Sequence, residues 1–353
     1  MFCNSFDKYY LVDGYMGSGG FEDIGFTNKN KILPIEDFMT YDEIKLAALL
    51  SISSRSIFIN NGSRNNHGSL GKPGSYVEEG IIIGQVGPRF QKPEVMEFID
   101  CVITEKQNTV NNGYGPNIKP SYLMMHEWAN LWGLEYLPTW SEVSRLNNIH
   151  YKKLSQSTFL NVHVYKERIK ITIEIMITEA ICRSSQQNKR SYIHVVGLGL
   201  GVWKISDCQH QLFVDTWGDV LKTLNPVNAK LISDINFSWI PVDNCQGVKN
   251  GEKFPDTDIT IHFSKRNLHD CVPENTLLIC NYAWDGNSLP GNEYWTGSLS
   301  STSDSAAACS SCITELHNHF INRLISAENL HVVTEGKVKH ISEYAKKRIE
   351  NKN

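Results

Sequence analysis

Apolar positions recur at helical spacing from residue 41 to residue 52 (YDEIKLAALLSI), with Tyr41 and Asp42 placed to open a helix, and the short apolar run SIFIN over 56–60 predicts a strand directly after it. A polar, glycine-rich stretch from 60 to 75 predicts a long loop. Strand patterns follow at 78–87 (EEGIIIGQVG) and, past a proline-containing turn, at 96–104 (MEFIDCVIT). Residues 121–133 (SYLMMHEWANLWG) read as a capped helix ended by glycine, and a second helix begins after Pro138. Two periods compete between 162 and 187. Ile169, Ile171, Ile173, Ile175 and Ile177 alternate as in a strand, whereas Val162, Tyr165, Ile169, Ile173, Met176 and Ala180 follow a helix. The length of the segment and its lack of turn residues decide for helix.

Beyond it the chain alternates between the two patterns. SYIHVVGLGLGVW at 191–203 predicts a buried strand running into a glycine loop, and 208–224 an amphipathic helix. The apolar segments 228–238 and 258–264 follow, then 276–284 (TLLICNYAW) predicts a further strand and 305–325 a helix. Such alternation describes an α/β domain. The tail from Gly336 carries six Lys or Arg against two Glu and reads as a solvated terminal helix.

Composition narrows the class without naming a function. The 353 residues are 41% hydrophobic and 20% charged, which excludes a disordered or fibrous chain. A net charge of -4 gives no general affinity for nucleic acid or an anionic membrane, so any phosphate site must be local. No apolar run approaches the roughly 18 residues that span a bilayer, and the start lacks a secretory pattern. With nine scattered cysteines, the expectation is a soluble protein of a reducing, cytoplasmic compartment.

Candidate chemistry concentrates in two loops that each follow an apolar strand, the position at which open α/β sheets bind ligands. In VVGLGLGVWK, Gly197, Gly199 and Gly201 offer backbone N–H groups to a phosphate, and the following helix adds its positive end. The spacing departs from a dinucleotide fingerprint, so a Rossmann site is disfavoured; glycines that merely permit close packing are the plain alternative. The second loop, 280–297 (CNYAWDGNSLPGNEYWTG), crowds Asn281, Asp285, Asn287, Asn292 and Glu293 among aromatics and glycines. Aromatic walls with fixed carboxamides and carboxylates suit a nucleotide or sugar pocket. Each carboxylate taken singly is as well explained as a turn former.

At these residues the chain resembles the macrodomain superfamily, in its divergent branch of MavL-type ADP-ribosyl hydrolase effectors, which is poly(ADP-ribose) glycohydrolase-like. The phrases MTYDEIKLAALL, FINNGSRNNHG, GIIIGQVGPRF, NNGYG, HVVGLGLGVWK and NYAWDGNSLPGNEYW with SDSAAAC carry the resemblance. Ordinary members wrap ADP-ribose with an Asn-Ala phrase followed by Asn-x-x-Leu-x-Gly-Gly-Gly. Asn281, Ala283, Asn287, Leu289 and Gly291 echo it in order, but Asn292 and Glu293 stand where glycines continue. Gly201, Val202 and Trp203 resemble the family's second phosphate loop.

The resemblance implies an α/β fold with a macrodomain-like mixed sheet flanked by helices, carrying N-terminal and helical elaborations. Its expected parts are an N-terminal segment at 1–37, the ADP-ribose-binding domain at 38–330 with a helical insertion near 121–160, and a helical tail at 331–353. It further implies removal of mono-ADP-ribose from a protein arginine, with ubiquitin as the target type. Asp285, Glu293 and Asp304 are the candidate catalytic carboxylates, Asp304 doubling as a helix cap. Gly197, Gly199, Gly201, Val202, Trp203, Asn281, Asn287, Leu289, Gly291 and Asn292 are the candidate ligand contacts. ADP-ribose enters as ligand or product, with no cofactor and no metal. The partner is an ADP-ribosylated protein rather than nucleic acid or membrane, and a secreted effector of this branch would act in a host cytosol. A module that reads ADP-ribose without cleaving it shares the same pocket and stays open beside the enzyme.

Other candidates are weaker. Cys309, Cys312, His317 and His319 do not converge readily as a zinc set on one helix, and no serine-hydrolase elbow, zincin or P-loop motif is present. Arg64, Asn65, His67 and Arg89 are expected mainly in solvated loops, although their chemistry suits a phosphate. Asn111 to Tyr114 read as a turn with positive φ, and Met124, Met125, Trp128 and Trp132 as a helix core face.

Overall fold

The computed structural model describes residues 45–46, 48–66, 69–117, 122–146 and 149–283, with short pieces at 8–10, 16–18, 331–334, 337–340, 342–343 and 346. Its centre is a six-stranded sheet of β1 (Ile52–Ile57), β2 (Glu79–Gln85), β3 (Arg190–Val195), β4 (Ile232–Ser238), β5 (Thr260–Ser264) and β6 (Thr276–Ala283). The spatial order is β5-β4-β3-β6-β2-β1. All neighbours are parallel except the antiparallel pair β1 and β2. The chain lays down β3, β4 and β5 in one direction, and β6 then returns to the other side of β3. Strand direction of growth thus reverses between β3 and β6, which opens a crevice beyond their carboxyl ends.

Two helices cover one face. The first, α1 (Val162–Gln187), starts where the Asn161 side chain accepts the Val164 N–H at 3.2 Å and stops at Asn188 in a left-handed conformation, φ 51°. Ile169, Ile173, Met176, Ile177 and Ala180 are buried, while Ile171 and Ile175 are only partly so, so the helical period governs this ambiguous segment. The second, α2 (Cys208–Leu221), packs Phe213, Trp217 and Leu221 into the same core. The opposite sheet face holds a smaller cluster of Phe58, Ile82, Tyr192, Leu278 and Cys280.

A helical and three-stranded elaboration follows β2. It contains helices Leu123–Leu131 and Trp140–Ser144, the latter begun by a Thr139–Glu142 capping box, and strands Val102–Thr104, Thr158–Asn161 and Tyr151–Lys153. Trp128 and Trp132 are core, as the helix face predicts, but Met124 is exposed. Gly113 has φ 89°, the positive value expected of its turn.

Four local expectations give way. The strand placed at 56–60 begins earlier, at Ile52, and the helix pattern leading into it is helical in the described residues only at Lys45 and Leu46. The serines of ISSRSI disguise an edge strand that is half wet. Residues 96–104 are not one strand: Glu97–Cys101 is a helical turn and only Val102–Thr104 is extended, because Glu97 and Asp100 turn inward to buried cations. The terminal segment read as helical holds an antiparallel pair, His331–Thr334 with Lys337–His340. Its β-branched HVVT and KVKH flank Glu335-Gly336, a hairpin signal that the count of charges hid. The amphipathic helix expected to reach 224 stops at Leu221.

Candidate functional site

A cavity of about 630 Å³ lies beyond the carboxyl ends of β3, β4 and β6. One wall is Val196, Gly197, Leu200 and Gly201, the start of the glycine loop; another is Asn281 to Ala283, the end of β6. Asn281 joins the two walls: its buried side chain accepts the Val196 N–H at 2.7 Å through Oδ1. The two strand endings therefore lie side by side, as parallel pairing of Cys280 with His194 requires.

The glycine loop rests on the turn after β2. Gly87 packs so closely beneath it that a Cβ there would overlap the Gly199 nitrogen, and a Cβ on Gly199, φ 73°, would come within 2.7 Å of the Pro88 carbonyl oxygen. Phe90 N–H donates to the Trp203 carbonyl at 3.1 Å, and the Arg89 guanidinium faces the Trp203 ring at 5.8 Å. This turn is held from below by buried charge. Glu97 accepts the Arg89 backbone N–H at 3.1 Å and the Arg168 Nε–H at 3.1 Å, and Arg168 also donates to the Val86 carbonyl at 2.9 Å. The anchored turn sets the height of the loop above the sheet.

The glycine loop does not run straight into a helix. Six residues separate Gly201 from Cys208, and the Gln209 side chain accepts the N–H groups of Ile205 and Ser206 at 2.8 and 3.1 Å. The first N–H groups of the helix itself are met within the protein, Cys208 donating to the Ser206 hydroxyl at 3.4 Å and Gln209 and His210 to the Ser206 and Asp207 carbonyls at 3.2 and 3.1 Å.

Among its described residues the cavity wall contains two arginines, Arg64 and Arg266, two histidines, His194 and His210, and no carboxylate. Burial, with the Arg266 charge and His269 adding to it, holds His194 well below the ordinary value, so the ring is neutral near pH 7. Burial and the Lys204 ammonium likewise lower His210. Trp239 stands 65% exposed at the mouth in a left-handed conformation, φ 58°, its indole N–H donating to the Arg266 carbonyl at 3.2 Å.

Of the residues predicted for ligand contact, Gly197, Gly201 and Asn281 line the cavity. Gly199, Trp203 and Val202 do not: Gly199 and Trp203 face the supporting turn, and Val202 is 85% exposed. Asn287, Leu289, Gly291, Asn292, Asp285, Glu293 and Asp304 lie outside the described residues, as do Cys309, Cys312, His317 and His319. The segment expected to be a solvated loop contributes Gly62 to Asn65 to the wall, whereas Arg89 is buried against Glu97; His67 lies outside the described residues. Sequence reading passed over His194, His210, Trp239 and Arg266. Alternation along SYIHVV, which sends 192 and 194 to one face, was the available signal for His194. No local pattern marks Arg266, which reaches the site through the pairing of β5 beside β4. Among the described residues there is no cluster of three or more metal-ligating side chains and no helix long and apolar enough to cross a membrane.

A family model described as ADP-ribosylhydrolase MavL-like matches residues 1–347. The chain is 38% identical over 368 aligned residues to ADP-ribosylarginine hydrolase CG2909 of Drosophila melanogaster, with 98% of this chain and 72% of that protein covered. It is 36% identical over 368 residues to ADP-ribosylarginine hydrolase CG3568 of the same fly, with 99% and 71% covered. Between an enzyme and a reader, this kinship decides for the enzyme. The chain belongs to the MavL-like ADP-ribosylhydrolase branch of the macrodomain superfamily and is a hydrolase.

Proposed function

We propose that this hydrolase releases ADP-ribose from arginine side chains of modified proteins, binding the ADP-ribose in the cavity at the ends of β3 and β6. The observation that carries this reading is the placement of Gly197, Gly201 and Asn281 around one cavity at the point where strand growth reverses. The names of the two fly relatives support the arginine linkage. Ubiquitin bearing the modification is the first protein substrate to assay, on the strength of the family resemblance.

The reaction needs carboxylates that the described wall lacks, and the chain leaves β6 two residues before Asp285. Cleavage of the bond between the ribose anomeric carbon and the guanidine nitrogen develops oxocarbenium character. In this proposal one carboxylate stabilises that cation and a second takes a proton from the attacking water, whose oxygen bonds to the anomeric carbon as the bond to nitrogen breaks; the second carboxyl then returns that proton to the released guanidine nitrogen. Asp285 and Glu293 are assigned these roles, with Asp304 as the reserve. Such groups act mainly in the transition state. Asp285→Asn and Glu293→Gln should therefore keep ADP-ribose affinity within about tenfold, roughly 1.4 kcal/mol, while single-turnover release from modified arginine falls by about a hundredfold or more. Unchanged turnover in both variants refutes the assignment and transfers it to Asp304; absence of ADP-ribose binding by the parent chain refutes the whole reading.

A further inference from the structure

Arg266 occupies the loop after β5, and its guanidinium lies over the Tyr192 ring with Cζ 4.7 Å from the centroid. Nη2 donates to the Asp270 carbonyl, and among the described residues Nη1 has no hydrogen-bond partner and Arg266 pairs with no carboxylate. A planar cation fixed against an aromatic face and left without counter-charge is costly, since a half-covered guanidinium loses water that only an anion replaces well. His194 also lines the cavity, 1% exposed, and among the described residues its Nδ1 too is without a partner. Two unmatched polar groups thus border one end of the cavity, beside the loop of Gly62 to Asn65.

We infer that Arg266, assisted by His194, forms an anion subsite that holds the diphosphate of ADP-ribose by side-chain charge and hydrogen bonding. The inference rests on the reading that the cavity takes ADP-ribose. Arg266 is a binding residue in this scheme; it takes no part in proton transfer.

Calorimetry of the full chain with free ADP-ribose tests the subsite, at about 50 mM and about 500 mM NaCl so that the screened part of the affinity is measured. Arg266→Gln is expected to weaken ADP-ribose at least about tenfold at low salt, or 1.4 kcal/mol, and to flatten the salt dependence seen in the parent. Arg266→Lys, which keeps the charge but not the fork, is expected to recover part of both. Loss of less than about tenfold in Arg266→Gln overturns the subsite. So does a weakened variant that keeps the parent's salt dependence, or an Arg266→Lys chain no better than Arg266→Gln, because a disturbed loop explains either. A parent chain that fails to bind ADP-ribose instead overturns the reading of the cavity, so the two failures are told apart.

Discussion

His269 is an imidazole that the fold keeps neutral. It stacks on Phe58 with ring centroids 3.7 Å apart, and its Nδ1 lies 3.1 Å from the Asn60 carbonyl. Burial is the main cause of its low pKa, about 4 against an ordinary 6.5; the Asn60 hydrogen bond resists that shift and the Arg266 charge adds to it. The sign follows from linkage. Between pH 6.5 and 4 the unfolded chain takes up a proton here and the native chain does not, so stability falls as pH falls through that window and is full above it. The depression corresponds to about 3 kcal/mol. His194, lowered for the same reason, pulls in the same direction, while buried Asp100, whose pKa burial raises, pulls the other way. The difference between the parent chain and His269→Gln isolates one residue. Urea unfolding across pH 4 to 7 should show the parent losing stability on acidification more steeply than the variant; parallel curves refute the neutral, buried assignment. Nothing in the local sequence NLHDC announces this histidine, because its burial arises from the 58–62 segment more than two hundred positions away.

At the scale of elements, the turn Gly87 to Phe90 and the glycine loop behave as one piece, and their contact is backbone on backbone. Gly87→Ala places a methyl group in overlap with the Gly199 nitrogen, a clash no rotamer change relieves. The loop must rise or the turn must sink. The turn is pinned by Glu97 and Arg168, both fully buried, so the loop is expected to move. Overpacking of this kind costs about 1–3 kcal/mol of stability. ADP-ribose affinity should fall by about tenfold or more, since the displaced Gly197 and Gly201 line the cavity. Calorimetry with free ADP-ribose reads this directly, and an affinity within about twofold of the parent would show that the loop does not set the site.

The same elements show how far the amino-acid sequence was legible. VVGLGLG and NYA announce themselves, since a buried strand running into glycines or asparagine has few other readings, and both end at the cavity. The 162–187 helix was decidable because 26 residues exceed any usual strand. Glu97 and Arg168 were not legible as a pair: 71 positions separate them, Glu97 falls in a run whose pattern is a strand's, and Arg168 reads as an ordinary charge on a helix. The wall at Gly62 to Asn65 was read as solvated because a polar glycine-rich stretch looks the same whether it meets bulk water or a ligand cavity.

At the scale of the whole molecule, the cavity wall comes from five places in the chain: 62–65, 194–201, 238–241, 266–268 and 281–283, with His210 added from α2. Topology brings four of them together, and 62–65, which leaves the antiparallel β1, is tied to them where the His269 N–H donates to the Asn61 carbonyl at 2.9 Å. Parallel β3, β4, β5 and β6 point the same way, so the loops that leave them all emerge on one edge, and the reversal between β3 and β6 leaves room there. A ligand that spans this edge should quieten the amides of these separated segments as a group. Hydrogen exchange with ADP-ribose at about a hundred times its Kd, a stabilisation of about 2.7 kcal/mol, tests this because local openings of the loops contribute exchange below the global unfolding limit. Protection is expected in the five segments at once, and not in the Tyr151–Lys153 strand, which belongs to the three-stranded elaboration. Protection confined to 194–201 and 281–283 would mean that the ligand stops at the strand junction and never reaches the 238–241 and 266–268 walls. Protection spread evenly over the chain would mean that binding stabilises the fold globally without marking the cavity as its seat.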